Sequence, residues 1–102
     1  MRFKNKIALV TGGGRDIGKA ISIKLASEGA HVIVNYSASD DASKQTVSEI
    51  NAAGGKATLF KADLTQVAEV KKLTDFVLTF GGKLDILINN AGGIVARMET
   101  RR

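Results

Sequence analysis

Lys6–Gly18 reads KIALVTGGGRDIG, and this stretch decides how the rest of the chain folds. An apolar, β-branched run ends at Thr11, three glycines follow, and a helical pattern of apolar residues begins after Asp16. The stretch therefore predicts a strand, a tight turn and a helix. Glycines permit positive φ angles and close approach of an anion, and the N–H groups at a helix start favour negative charge.

The glycine spacing departs from the strict dinucleotide fingerprint. Gly12 and Gly14 match the opening of G-x-G-x-x-G, but Gly18 falls one residue late. A glycine-rich turn can also be purely structural. The position of this one, after a buried strand and before a helix, favours a phosphate-binding turn.

The composition indicates one globular α/β domain. A chain of 102 residues, 44% hydrophobic and 25% charged, has room for one core and is not typical of a disordered protein. No apolar run has membrane-spanning length, no signal peptide pattern is present, and the absence of cysteine favours a cytoplasmic protein. The formal charge of +5 comes from scattered basic residues, and the aromatic content is low, so nucleic-acid binding is not expected.

Short apolar runs alternate with helical patterns along the chain. The predicted strands are Ile7–Val10, His31–Tyr36, Lys56–Ala62 and Leu84–Ile88. The predicted helices begin near Asp16, at Asp41 and after a capping Thr65, the last with Val67, Val70, Leu73, Val77 and Phe80 at helical spacing. This alternation predicts an α/β, doubly wound parallel sheet with strand order 3-2-1-4. The polar loops that follow the four strands should form one site.

Three motifs resemble those of the classical short-chain dehydrogenases/reductases. Thr11-Gly12-x-x-x-Asp16-Ile17-Gly18 is similar to the family's Thr-Gly-x-x-x-Gly-x-Gly turn, Asp63-Leu64-Thr65 resembles its adenine-contacting segment, and Asn89-Asn90-Ala91-Gly92 matches its Asn-Asn-Ala-Gly motif. The motifs have the family's order and spacing. The resemblance implies a Rossmann-type NAD(P)-binding domain of an oxidoreductase that moves a hydride between nicotinamide and a carbonyl or alcohol.

The resemblance also implies the residues that contact the dinucleotide. Those expected on the pyrophosphate and nicotinamide side are Gly12, Ile17 and Gly18. Those expected at the adenine are Asp63 and Leu64, and those along the ribose are Asn90, Ala91 and Gly92. The side chains of Asn89 and Asn90 are expected to tie adjacent loops together as well.

Asp16 stands where the family usually has its middle glycine. A carboxylate at a helix start is a good cap, but beside a pyrophosphate it would repel the ligand. We expect the Asp16 side chain to turn away and cap the helix, so that cofactor affinity is only mildly reduced.

The residues that select between NAD(H) and NADP(H) are expected at the end of the second strand, which reads Asn35-Tyr36-Ser37. An NAD site commonly places a carboxylate here to accept a hydrogen bond from the ribose 2′-hydroxyl. No carboxylate occurs until Asp40, so a 2′-phosphate would not be repelled, and Arg15 with Ser37 would bind it. We therefore expect NADP(H) rather than NAD(H), the alternative being an exposed Arg15 without a ligand.

The family's catalytic residues have no counterpart in this sequence. They are a serine, a Tyr-x-x-x-Lys pair and a helix asparagine beyond the fourth strand, whereas the only tyrosine here, Tyr36, is followed at that spacing by Asp40. Residues 1–102 are therefore expected to be the N-terminal part of a single domain, inactive alone, with 94–102 the start of a further segment or a flexible tail. A proteolytic cut after Arg102 and a chance stop are both consistent with this ending.

The fourth strand would then be an open sheet edge, to which the remainder of the protein or a second fragment is expected to pair. The complete protein is expected to act on a small carbonyl or alcohol, to form homo-oligomers as its family often does, and to bind no membrane. The alternative is a non-catalytic dinucleotide-binding or interaction module that is complete as it stands.

Overall fold

In a computed structural model, the chain forms a five-stranded sheet with helices on both faces. The structure describes residues 2–12, 14, 16–37 and 41–90, and the backbone of 96–99. In chain order the elements are β1 (Ile7–Thr11), α1 (Asp16–Ser27), β2 (His31–Tyr36), α2 (Asp41–Ala52), β3 (Lys56–Lys61), α3 (Val67–Gly81), β4 (Ile86–Asn89) and β5 (Ala96–Glu99). The strand order is β3-β2-β1-β4-β5. Strands β1 to β4 are parallel, which confirms the predicted 3-2-1-4 arrangement.

A fifth strand is the main departure from the predicted fold. β5 pairs antiparallel with β4, with Leu87 opposite Met98. The prediction of an open edge at β4 was wrong, because residues of the same chain supply the hydrogen bonds that this edge would leave free. The sequence Ala-Arg-Met-Glu of β5 is short and has no β-branched or aromatic residue, so its composition did not indicate a strand.

The central strands are apolar on both sides because helices cover both faces of the sheet. Alternate residues of β1 and β2, among them Val10 and Val32, face a core formed with α1 and α2. Their neighbours Leu9 and Ile33 face a second core formed with α3. Val10, Val32 and Ile33 have no exposed surface, so the sheet is a rigid support for the loops at its carboxyl edge.

The start of α3 differs from the prediction. Gln66, rather than Thr65, occupies the N-cap position, and no side chain caps the helix. The Thr65 hydroxyl instead donates to Asp63 Oδ1 at 2.7 Å, because a nearby carboxylate competes for it with the helix backbone. None of the helices in the described part of the chain combines the length and hydropathy that a membrane span requires.

Asp85 joins the amino ends of β1 and β4. Its Oδ2 accepts the Ile7 N–H at 2.8 Å and lies 3.2 Å from Lys83 Nζ, and its own N–H donates to the Ile7 carbonyl at 2.9 Å. Burial alone would raise the pKa of Asp85, but the hydrogen bonds from Ile7 and Lys83 outweigh it and lower the pKa.

Asp85→Ala is expected to lower the free energy of unfolding at pH 7 by about 2 kcal/mol, because the Ile7 N–H loses its acceptor. A lowered carboxyl pKa stabilises the fold above the ordinary value of 3.8, and that stabilisation disappears as the pH falls through the folded-state pKa. The difference in free energy of unfolding between Asp85→Ala and the wild-type chain should therefore shrink at low pH, as measured by urea titration. Asp85→Asn is the matched control, since it keeps an acceptor. A deficit for Asp85→Asn that does not change with pH would contradict a contribution from the charge.

Candidate functional site

Thr11 joins the loops that follow β1 and β4. Its buried hydroxyl oxygen accepts the Asn90 N–H at 2.8 Å, and the hydroxyl donates toward Asn89 Oδ1 at 3.1 Å. The Asn90 side-chain amide donates to the Gly12 carbonyl at 3.3 Å. Asn89 and Asn90 therefore tie the two loops together at the carboxyl edge of the sheet, as the sequence predicts.

Asn35 joins the ends of β2 and β3. Its side chain is 1% exposed and donates to the carbonyls of Phe60 and Ala62, each at 3.3 Å. Its own carbonyl accepts the Gly12 N–H at 3.0 Å. The Asn35 side chain thus binds protein backbone, while Tyr36 is half-buried and Ser37 exposed at the same edge. A cofactor contact by these three residues stays a prediction.

The start of α1 packs directly against the turn after β1. Gly12 has a φ of 62°, which glycine adopts without strain. A Cβ at Gly18 would collide with the Gly12 carbonyl oxygen and come within 2.9 Å of the Asn90 amide nitrogen. The absence of a side chain at residue 18 therefore lets the start of α1, whose first N–H groups have no partner within the helix, lie at this edge. The Ile17 side chain beside it is 59% exposed.

Gly14 packs the turn after β1 against α2. A Cβ there would collide with Ser43, and the Gly14 carbonyl accepts the Thr46 hydroxyl at 2.8 Å. Ser43 and Thr46 are both buried. No motif in the sequence indicates this pair, although small hydroxyl residues three apart on a helix are consistent with a close contact.

A cavity of about 380 Å³ lies between the starts of α1 and α2. Its lining residues are Gly14, Asp16, Lys19, Ala42 and Gln45. Lys19 was missed by the motifs, but it follows Asp16 by three residues and so shares its face of α1. Its ammonium lies 3.5 Å from Glu49 Oε2, an exposed pair that leaves the cation available to an anion in the cavity.

Asp63 and Leu64 lie in the loop that follows β3, also at the carboxyl edge of the sheet. Asp63 Oδ1 accepts the Thr65 hydroxyl at 2.7 Å and the Thr65 N–H at 3.0 Å. These two hydrogen bonds lower the pKa of Asp63, so its carboxyl is held in the charged form. Oδ2 makes no hydrogen bond to any residue that the structure describes, while Leu64 packs against the core on the α3 side.

Asp16 does not form the expected cap. It is the first residue of α1, is exposed, and has a φ of 49° in the left-handed region, where a glycine would be unstrained. Its carboxylate makes no hydrogen bond within the described part of the chain and lines the cavity instead. Of the other predicted site residues, Arg15, Ala91 and Gly92 lie outside the described residues.

The fold and the loops at the carboxyl edge of the sheet define a class of protein. A doubly wound parallel sheet, with a glycine turn leading from the first strand into a helix start, is the architecture of Rossmann-type nucleotide-binding domains. A family model described as short chain dehydrogenase matches residues 6–101. The chain belongs to the short-chain dehydrogenase family of oxidoreductases, which confirms the resemblance carried by its three motifs.

Curated relatives support the same family. A hydroxynaphthalene reductase-like protein of Metarhizium acridum is 47% identical over 94 residues, covering 92% of this chain and 35% of the fungal protein. A short-chain dehydrogenase/reductase homolog of Bacillus subtilis is 47% identical over 91 residues, covering 89% of this chain and 84% of the bacterial protein. The chain thus spans about a third of the length of the fungal relative and most of that of the bacterial one.

Solved structures match over most of the chain. A short-chain dehydrogenase/reductase of Serratia marcescens superposes with a TM-score of 0.82 at 41% identity, covering 88% of this chain and 37% of that protein. A short chain dehydrogenase of Burkholderia cenocepacia, solved in complex with NADP, has a TM-score of 0.78 at 40% identity, covering 85% and 36%. Each match covers little more than a third of the solved protein.

Asp16→Gly is expected to strengthen NADPH binding by less than tenfold, about 1.4 kcal/mol, because it removes a carboxylate from the cavity but no direct ligand contact. Stability should change little, since glycine relieves the left-handed strain and makes the unfolded chain more flexible. NADPH titration and urea unfolding would measure both. Asp16→Asn is the control that removes charge and keeps the Cβ. A gain beyond tenfold would show that the carboxylate faces the ligand.

Proposed function

We propose that this chain is the cofactor-binding part of an NADP(H)-dependent oxidoreductase that moves a hydride between nicotinamide and a carbonyl or alcohol. The observation that carries the proposal is the contact of α1 with the turn after β1. Because Gly18 packs on the Gly12 carbonyl, the N-terminal end of α1 lies at the carboxyl edge of the sheet. Helix starts in this position bind the pyrophosphate of dinucleotides.

The residues present fit such a ligand in all but one respect. The N–H groups at the start of α1 would hold the pyrophosphate, and the exposed Ile17 offers an apolar surface to the nicotinamide side. When bound, the nicotinamide supplies or accepts the hydride. Asp63 Oδ2 is available as an acceptor for the adenine amino group. Asp16 is the exception, because its charge opposes an anion in the adjoining cavity.

Reduction of a carbonyl also needs a proton delivered to the oxygen, and the sequence lacks the Tyr-x-x-x-Lys pattern that the family resemblance implies for that step. Tyr36 lies at the end of β2, on the side proposed for the adenosine, and its sequence lacks the Tyr-x-x-x-Lys pattern. We therefore propose that the catalytic residues come from sequence beyond these 102 residues, and that the chain alone is inactive. A small carbonyl or alcohol substrate, homo-oligomers of the whole protein and a cytoplasmic setting belong to the same proposal.

The preference for NADP(H) rests on charge. The end of β2 carries no carboxylate through Ser37, and Lys19 places a cation in the cavity between α1 and α2. Arg15, which directly follows the three glycines in the sequence, adds a second cation. A 2′-phosphate carries about two negative charges at neutral pH and would be attracted by both cations, with the Asp16 carboxylate opposing it from the same cavity.

Titration of the chain with NADPH and NADH by calorimetry tests this proposal. NADPH should bind at least tenfold more tightly than NADH, and Arg15→Ala should remove most of the difference. Lys4→Ala is the matched control, since it removes an exposed cation before β1, at the opposite edge of the sheet. Equal affinity for the two dinucleotides would refute the NADP(H) preference, and binding of neither would refute the cofactor role.

A second function, a non-catalytic dinucleotide-binding module, is favoured by one observation. The Bacillus subtilis relative is matched over 84% of its length, so this chain is similar to a protein of nearly its own size. A soluble monomer of 102 residues that binds NADPH would support this second proposal. Carbonyl reduction that appears only when a downstream segment is supplied would support the first.

A further inference from the structure

Two neighbouring cavities lie between the C-terminal ends of α1 and α2. The first, of about 320 Å³, has Ile23 and Glu49 in its lining, and the second, of about 470 Å³, has Lys4 and Lys56. Both are also lined by Ala26, Gly54 and Gly55, so they form one groove, which we call the amino-edge groove. Because Lys56 begins β3, the second cavity lies at the amino edge of the sheet, opposite the candidate cofactor site.

The floor of the amino-edge groove is apolar and closely packed. Ala26 and Ile50 belong to the core beneath α1 and α2 and are buried. A Cβ added to Gly55 would come within 2.9 Å of Ile50 Cγ2 and 3.3 Å of the Ala26 Cβ, so the turn after α2 packs on both helices here. Apolar cavities of about 300–1,000 Å³ with a few polar groups are typical of sites for small molecules.

The two ends of the groove differ in charge. Lys4 and Lys56 are exposed at the amino edge, and neither pairs with a carboxylate in the part of the chain that the structure describes. At the other end Glu49 Oε2 lies 3.5 Å from Lys19 Nζ. A ligand with one negative end would therefore be attracted toward the lysines and repelled by Glu49, which gives it a single orientation.

The ends of two helices would ordinarily oppose an anion, because their last carbonyls point outward without partners. Backbone N–H groups already bind two of these carbonyls. The Gly29 N–H donates to the Ala26 carbonyl at 3.0 Å, and the Gly55 N–H donates to the Ile50 carbonyl at 2.9 Å. The two lysines thus act against a reduced negative potential.

We propose that the amino-edge groove binds an aliphatic carboxylate. The carboxylate pairs with Lys4 and Lys56, and the hydrocarbon chain lies over Ala26 and Ile50 toward Ile23, where apolar surface is removed from water. An alcohol of the same length would lack the charge, and an alkylammonium would be repelled by the lysines. This site goes beyond the proposed cofactor role and is independent of it, because the two sites lie at opposite edges of the sheet.

Titration of the isotope-labelled chain with octanoate, followed by backbone amide NMR, tests this proposal. The amide signals of Gly54 and Gly55 should shift and saturate with a dissociation constant of about 1 mM or lower. Octanol should bind at least tenfold more weakly, since it has the same chain without the charge. Octanoate should bind about tenfold more tightly than hexanoate, because each buried methylene contributes up to about fourfold.

Charge variants separate the lysines from the general charge of the protein. Lys4→Gln/Lys56→Gln should weaken octanoate binding at least tenfold and leave octanol binding unchanged. Lys44→Gln/Lys61→Gln is the matched control, because it removes two exposed cations that line neither cavity, and Lys61 ends the strand that Lys56 begins. Its octanoate affinity should stay within about twofold of the wild-type value.

Ile23→Glu tests the apolar end of the groove. Ile23 is 39% exposed, so the variant should fold, and a carboxylate beside the hydrocarbon chain should weaken octanoate and octanol alike, at least tenfold. The amide spectrum of each variant shows whether it is folded.

An octanoate dissociation constant above about 1 mM, equal affinity for octanol, or wild-type affinity in Lys4→Gln/Lys56→Gln would each overturn the proposal. Shifts at Gly12 and Gly18 instead of Gly54 and Gly55 would also overturn it, because octanoate would then bind at the cofactor edge. NADPH affinity should be unchanged in Lys4→Gln/Lys56→Gln, and titration with NADPH tests the proposed function separately.

Discussion

Gly18→Ala is expected to abolish NADPH binding and to lower the free energy of unfolding by about 3 kcal/mol. The added Cβ would collide with the Gly12 carbonyl oxygen, a backbone atom that no rotamer change can move away. Either α1 or the turn after β1 must shift, and either shift displaces the helix N–H groups from the pyrophosphate position. A domain of this size has about 5–15 kcal/mol of stability, so the variant should still fold at room temperature.

Urea unfolding and calorimetric titration with NADPH would measure the two effects separately. Ala20→Ser is the matched control, because it also adds one atom to α1 but at an exposed position. Its stability and NADPH affinity should both remain close to those of the wild-type chain. A Gly18→Ala variant with wild-type affinity would show that the contact between α1 and the turn does not position the ligand.

Thr11→Val is expected to lower the free energy of unfolding by about 2 kcal/mol and to weaken NADPH binding at least tenfold. Valine has nearly the same shape but leaves the Asn90 N–H without the acceptor that now lies at 2.8 Å. The site is 4% exposed, so water cannot readily replace the hydroxyl. The loop after β4 would lose its connection to β1, and with it the proposed ribose contact.

Thr11→Ser provides the control for this prediction, because it retains the hydroxyl and removes only a methyl group. Its loss of stability should be about 1 kcal/mol, and its NADPH affinity should stay near that of the wild-type chain. If Thr11→Ser and Thr11→Val weakened NADPH binding equally, the hydroxyl would not be what holds the Asn90 loop.

Residues with a strong local pattern were predicted best. The bounds of β2 were predicted without error because His31–Tyr36 is apolar in its middle and follows a glycine that ends α1. The type and position of Thr65 predict a helix cap, but its hydroxyl donates to Asp63, an acceptor that the folded turn brings close. β5 is not indicated by the sequence because its four residues include no β-branched or aromatic side chain, and only the structure shows that they pair with β4.

The sequence by itself determined the order of the parallel strands, because apolar periodicity and glycine turns are local properties of the chain, and its three motifs carried the resemblance to the family. Only the tertiary structure decided what several of these residues do. Gly14 packs on α2, Asn35 binds the backbone after β3, and Asp16 takes a left-handed conformation at the cavity. Each of these roles depends on a neighbour distant in sequence or on a backbone angle, and neither can be derived from residue types and spacing.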